Sequence, residues 1–159
     1  MNVKILVFSD SHGSKDRVRR VCDMHKDADY ILHAGDGVHD LSFVKDTGAK
    51  RICVCGNCDF FANDISDEEH IRIEGYSFYV CHGDAHGVKS SDIGLLRAAK
   101  ISHADIVVFG HTHIPCEKRI EREGDSPLYL FNPGSLKLGS FGLIQINNGS
   151  VIFSHGTVR

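Results

Sequence analysis

The chain opens with an apolar run at residues 4–9 that breaks into Asp10-Ser11-His12-Gly13, a buried-strand pattern feeding a polar loop. The period then changes: Val18, Val21 and Cys22 fall at helical spacing against Arg17, Arg19 and Arg20, which predicts a helix over 15–25 with Ser14 as its N-cap. A strand over 29–34 runs into Gly35-Asp36-Gly37, a short helical piece follows at 41–45, and a strand over 49–55 ends at Gly56-Asn57-Cys58-Asp59. Residues 71–73 and 76–81 read as a hairpin about Glu74-Gly75 whose second strand delivers His82-Gly83-Asp84. Ile93, Leu96, Ala99 and Ile101 support a helix, and 104–109 a strand ending at Gly110-His111-Thr112-His113. The last third is strand-like, with Asn148-Gly149 as a two-residue hairpin turn between 143–146 and 151–153. Helices early and antiparallel strands late predict an α/β fold with mixed sheets, and the absence of linkers and repeats predicts a single domain over residues 1–159.

Composition narrows the picture by exclusion. With 42% hydrophobic and 25% charged residues the chain has globular character, and its apolar runs are shorter than the roughly 20 residues needed to cross a bilayer, so no membrane partner is expected. No small-residue cleavage site precedes Asp10, so the expectation is a soluble, cytoplasmic protein. A net charge of −3 speaks against a broad basic face, and no stable nucleic-acid partner is expected. The six cysteines then read as reduced thiols packed in strands. Exposed strands in the last third leave a homodimer open.

Five predicted strands end in glycine-flanked Asp, Asn and His: Asp10 and His12, Asp36, Asn57 and Asp59, His82 and Asp84, His111 and His113. In open α/β sheets, sites form at the carboxyl ends of strands. Carboxylate, imidazole and side-chain amide suit divalent first-row metals, and no four-thiolate set competes for a structural zinc. In extended backbone residues i and i+2 point the same way, so Asp10 with His12, and His111 with His113, could each aim at one centre while Ser11 and Thr112 face away. Each motif alone is ordinary turn or cap chemistry; their joint occurrence at strand ends carries the reading. Cys55 and Cys58 form a Cys-x-x-Cys spacing, but no clear helix follows and no second pair completes a zinc site. His25, His33, His39, His70, His86, His103 and His155 read as surface or supporting residues, and Asp59, Asp84 and Asp105 as candidate acceptors for metal-bound imidazoles.

The ordered set Asp10-x-His12-Gly13, Gly35-Asp36, Gly56-Asn57-x-Asp59, His82-Gly83 and Gly110-His111-x-His113 resembles the calcineurin-like metallophosphoesterase family over nearly the whole chain. Asn132-Pro133-Gly134-Ser135 resembles the segment that follows in its small bacterial and archaeal phosphodiesterase subgroup. The resemblance implies a sandwich of two mixed β-sheets flanked by helices. It also implies two divalent metal ions, Mn²⁺ first and Ni²⁺, Fe²⁺ or Zn²⁺ as alternatives. Asp10, His12 and His113 would hold one, Asn57, His82 and His111 the other, and Asp36 would bridge them, with Asn57 also at the substrate. A metal-bridging hydroxide would then hydrolyse a phosphoester substrate, most simply a phosphodiester. Cys58 stands where many members carry histidine, which leaves the general acid unassigned; Ser14 and Asp84 depart from the pattern without touching the ligand set. The alternative is a non-catalytic, metal-binding scaffold like the retromer subunit of this fold.

Overall fold

The computed structural model describes residues 1–159. Strand β1 (Asn2–Phe8) sends Ile5 and Val7 to one face and Leu6 and Phe8 to the other, and all four are fully buried, as expected of a strand covered on both sides. Helix α1 (Lys15–Met24) covers one face with Val18, Val21 and Cys22. Between them lies a loop, not a cap: Ser14 holds the N-cap position but, with ψ at 55°, lies outside the extended conformation from which a hydroxyl reaches the first-turn amides, and makes no such bond.

Strands β2 (Tyr30–His33) and β3 (Lys50–Cys53) continue parallel to β1, which on its other side pairs antiparallel with β9 (Ser140–Asn147), itself paired with β10 (Ser150–Thr157). The first sheet therefore runs β10-β9-β1-β2-β3. The second runs β4-β5-β6-β8-β7, from β4 (Glu68–Ile73), β5 (Tyr76–Cys81), β6 (Ile106–Val108), β7 (Cys116–Ile120) and β8 (Leu128–Asn132). Here β5, β6 and β8 are parallel and both edge strands antiparallel. Ile5, Val7, Phe78, Val80, Ile106, Phe131 and Ile144 form part of the core between the sheets, while α2 (Ile93–Ser102) packs Leu95 and Ala99 against the outer face of the second sheet. The sandwich of two mixed sheets flanked by helices is thus observed.

The differences from the periodicity reading are local. The helical piece expected at 41–45 is a 3₁₀ segment at Val38–Phe43. In α2 the buried stripe falls on Leu95 and Ala99, while Ile93 and Ile101 are exposed, because one helix face meets the sheet and the sequence is apolar around more than that face. The turn at Asn148-Gly149 has positive φ at both residues, as a primed hairpin turn requires, and its strands extend well beyond the apolar positions that announced them. No helix is long and apolar enough to cross a membrane.

Phe131 anchors the inter-sheet core, fully buried, with ring centroids 5.2 Å from Phe153 and 4.8 Å from His155. Phe131→Ala is expected to cost about 3–5 kcal/mol in urea unfolding. Phe60→Ala, at a side chain 77% exposed, is expected to stay within about 0.5 kcal/mol.

Candidate metal centre

The parallel strands of both sheets end at one place, and the backbone beyond them is cross-linked. Asp10 N–H donates to Gly35 C=O (2.9 Å), His12 N–H to Asp36 C=O (3.1 Å) and Gly110 N–H to His82 C=O (2.9 Å). Among the bonds that join the sheets is one from His111 N–H to Asp10 Oδ2 (3.0 Å). These contacts gather six of the seven sequence-predicted ligands. His113 Nε2 lies 3.0 Å and His12 Nε2 3.7 Å from Asp10 Oδ1, and His82 Nε2 lies 3.3 Å from Asp36 Oδ2. His12 and His113 bring ring nitrogens within 3.4 Å of each other, and His82 and His111 within 3.2 Å. Asp10, Asp36 and His82 form a floor with side chains 0, 3 and 1% exposed, while His12 and His113, at 23 and 41%, form an open rim. Asn57 stands apart: it is exposed, and its one side-chain hydrogen bond runs from Nδ2 to Cys58 Sγ (3.5 Å).

The donor set is shaped for cations. Asp10 Oδ2 accepts from Ser9 Oγ (2.5 Å) and His111 N–H, whereas Oδ1, fully buried, has no hydrogen-bond partner. An ionised carboxylate oxygen left in that state is costly unless a positive charge meets it. His82 donates from Nδ1 to Ala34 C=O (2.7 Å), which fixes its tautomer and turns the Nε2 lone pair into the site. Three groups of three donors have ligand atoms within 4.8 Å of one another, Asp10–His12–His113, Asp10–Asp36–His82 and His12–Asp36–Cys58. The residues present therefore fit divalent cations.

Protons compete for the same space. Burial works to lower the His82 pKa, but the Asp36 carboxylate and the Ala34 carbonyl outweigh it and hold it above the ordinary histidine value. For His111, burial first and the His82 charge next act to lower it. Asp36 is opposed by burial yet is held far below the usual carboxylate range by His82 and by the Cys58 N–H.

The backbone reaches this arrangement by a route that strand alternation does not describe. Asp10, His12, Asp36, His111 and His113 all have φ between 43° and 66°, the left-handed region that side chains disfavour. The i, i+2 pairs still share a site, and Ser11 does face away, but the cause is this run of loop conformations and their hydrogen bonds, not extended strand. Close approach also constrains the glycines: a Cβ at Gly56 would collide with Asp36 Oδ1, and one at Gly110 with Ser9 Oγ.

Several supporting residues take roles that the sequence reading did not assign to them. Asp59 backs no imidazole; its carboxylate accepts from Asp36 N–H (2.7 Å), Gly37 N–H (2.8 Å) and Gly56 N–H (2.8 Å), clamping two ligand loops together. Asp105 accepts from Ser77 N–H (2.9 Å) and Asp84 is exposed, so neither serves the histidines. His33, fully buried, accepts at Nδ1 from Gly35 N–H (3.2 Å) and donates from Nε2 to Ser11 Oγ (3.0 Å), which donates to Asp40 Oδ2 (2.6 Å). The place of His33 inside the otherwise apolar run 29–34 is the signal that separates it, as a buried supporting residue, from the surface histidines. Asn132 and Ser135 of the Asn-Pro-Gly-Ser segment hold Gly110 C=O (2.9 Å) and Asp10 C=O (2.9 Å). Cys55 turns its thiol to the carbonyls of Ala62 (3.3 Å) and Ile65 (3.2 Å), and all six cysteines are free.

Two tests follow from this support. Asp59→Ala leaves clamped amides without their acceptor and is expected to cost about 3 kcal/mol or more and weaken metal uptake, read by thermal unfolding and by calorimetric metal titration. Burial pulls His33 down to about 4 against nearby Asp59, Asp40 and Asp10, so the folded protein holds it neutral. Because the unfolded chain binds that proton more readily, its contribution is present above pH 6.5 and lost as pH falls towards 4, a change on the order of 3 kcal/mol. In EDTA, His33→Asn is expected to flatten that part of the urea-midpoint profile.

A family model described as the calcineurin-like phosphoesterase superfamily domain matches residues 3–154. A probable metallophosphoesterase of Bacillus subtilis is 30% identical over 137 residues, 86% of this chain and 76% of its own length. A phosphodiesterase of Methanocaldococcus jannaschii is 28% identical over 150 residues, 83% of each chain. Among solved structures, a predicted phosphoesterase of Streptococcus pneumoniae superposes with a TM-score of 0.79 at 23% identity, over 99% of this chain and 90% of that one. Vacuolar Protein Sorting 29 of Cryptosporidium parvum superposes at 0.70 and 17% over 99% of both, a likeness of fold. Matched along nearly its whole length and carrying the converging strand-end donors, the chain belongs to the calcineurin-like phosphoesterase superfamily.

Proposed function

We propose that this chain is a metal-dependent phosphodiesterase acting through a dinuclear centre held by Asp10, His12, Asp36, Asn57, His82, His111 and His113. The observation that carries the reading is Asp10 Oδ1, buried and unpartnered amid imidazoles from both sheets. Asp36, whose Oδ2 faces both His12 (3.8 Å) and His82 (3.3 Å), is suited to bridge. Asn57 would join by rotation of its exposed side chain. Divalent cations bound there would supply positive charge to the phosphoryl oxygens and the acidity that makes water a nucleophile. The chain's own residues orient: Ala34 C=O fixes His82, Ser9 and His111 N–H fix Asp10, and Asp59 fixes the loop that presents Asp36. Two carboxylates do not cancel two divalent ions, so the site favours an anionic ester, and the open rim admits it. The nitrogen and oxygen donors alone suit Mn²⁺, with Ni²⁺, Fe²⁺ and Zn²⁺ as alternatives. Six free cysteines fit a reducing cytoplasm. The intact donor set supports this reading over the non-catalytic scaffold.

Hydrolysis of bis(p-nitrophenyl) phosphate with Mn²⁺ is the direct test. Asp36→Asn and His82→Ala are each expected to lower the rate at least about 100-fold with unchanged circular dichroism, and EDTA to abolish it reversibly. Turnover indifferent to EDTA would overturn the proposal.

A further inference from the structure

Cys58 is exposed, alone among the six cysteines, and its sulfur lies in ligand range of the centre. Cys58 Sγ, a ring nitrogen of His12 and a carboxylate oxygen of Asp36 are all within 4.8 Å of one another. Backbone enforces the placement, since Cys58 N–H donates to Asp36 Oδ1 (2.8 Å). A second observation points to a cation in the same space: Asp10 Oδ1, fully buried and without a hydrogen-bond partner, lies 3.7 Å from His12 Nε2. Asn57 Nδ2–H donates to Cys58 Sγ (3.5 Å), and rotation of Asn57 into the centre would leave the sulfur free to ligate.

We infer that Cys58 is itself a metal ligand, bound as thiolate on the His12–Asp36 side of the centre. The inference rests on the metal centre proposed above. On metal entry the S–H bond gives up its proton to solvent and an Sγ–metal bond forms, with no change of oxidation state. A soft thiolate among imidazoles and carboxylates shifts preference towards Zn²⁺, Co²⁺ and Cd²⁺ and away from Mn²⁺ and Mg²⁺. It also removes Cys58 from the groups that could protonate a leaving group.

Anaerobic titration of the metal-free full chain with Co²⁺ tests this without reference to activity. Wild type is expected to show a sulfur-to-Co²⁺ charge-transfer band in the near ultraviolet together with visible d–d bands. Cys58→Ser should lose the near-ultraviolet band and keep the visible ones, while Cys55→Ser keeps both. Zn²⁺ affinity should fall at least about tenfold in Cys58→Ser, with a smaller change for Mn²⁺. Visible bands in wild type without the near-ultraviolet band would overturn thiolate ligation and leave the metal centre standing, as would a near-ultraviolet band that persists in Cys58→Ser. Failure to bind Co²⁺ or Zn²⁺ at all would remove both proposals together.

Discussion

The buried carboxylate of Asp10 is the constraint on which the rest of the structure depends. It sits at the end of β1 with no exposure to solvent, where an ionised group is tolerated only if its oxygens are met. One oxygen takes the Ser9 hydroxyl and the amide of His111, and the second of these ties the first sheet to the strand-end loop of the other. Its own carbonyl is held by Ser135 and Lys137, from the segment after β8. The remaining oxygen has no partner, so the same residue that joins the sheets also leaves a negative charge facing the centre. A contact between the sheets and an unpartnered carboxylate oxygen meet in one side chain.

The ligand loops are over-determined around that point. Five site residues accept left-handed backbone that each would avoid in isolation, at about 1–3 kcal/mol apiece, and hydrogen bonds accepted by Asp59 and donated by Asn132 and Ser135 hold the loops in place. Glycine at 56 and 110 gives the room in which Asp36 and Ser9 approach the backbone. Burial is greatest at the floor, at His82 and Asp36, and falls at the rim, where His12, His113 and Asn57 reach solvent. A site built this way keeps its floor donors packed while one side stays open to solvent.

Much of the fold could be read from residue periodicity, because burial on one face or two imposes it directly. Strands β1, β2 and β5, helix α1 and the terminal hairpin follow from runs and alternations of apolar residues. The phase of α2 did not, since Ile93, Leu96 and Ile101 are as apolar as Leu95, and only the position of the second sheet decides which side is covered. Strands β7 and β8 were not separated in advance; β7 is largely charged and half open to solvent, so it carries little alternation to read. At the site, the candidate ligands came from strand-end chemistry, but the i, i+2 logic did not survive the left-handed loops. His33, Asp40 and Asp59 act through partners 20 or more residues away, beyond the reach of any local pattern.

By itself the sequence determined the order of elements, the family it belongs to, and a supply of carboxylates and imidazoles at the ends of predicted strands. Only the tertiary structure decided which of these meet. Asp10 and His111 are separated by 101 positions and joined by one hydrogen bond, and no periodicity records such a contact. The unpartnered oxygen, the buried floor against the open rim, and the sulfur of Cys58 beside His12 and Asp36 are likewise set by how two sheets close on each other. Local patterning encodes which face of an element avoids water; the distances between faces arise only when the chain has packed.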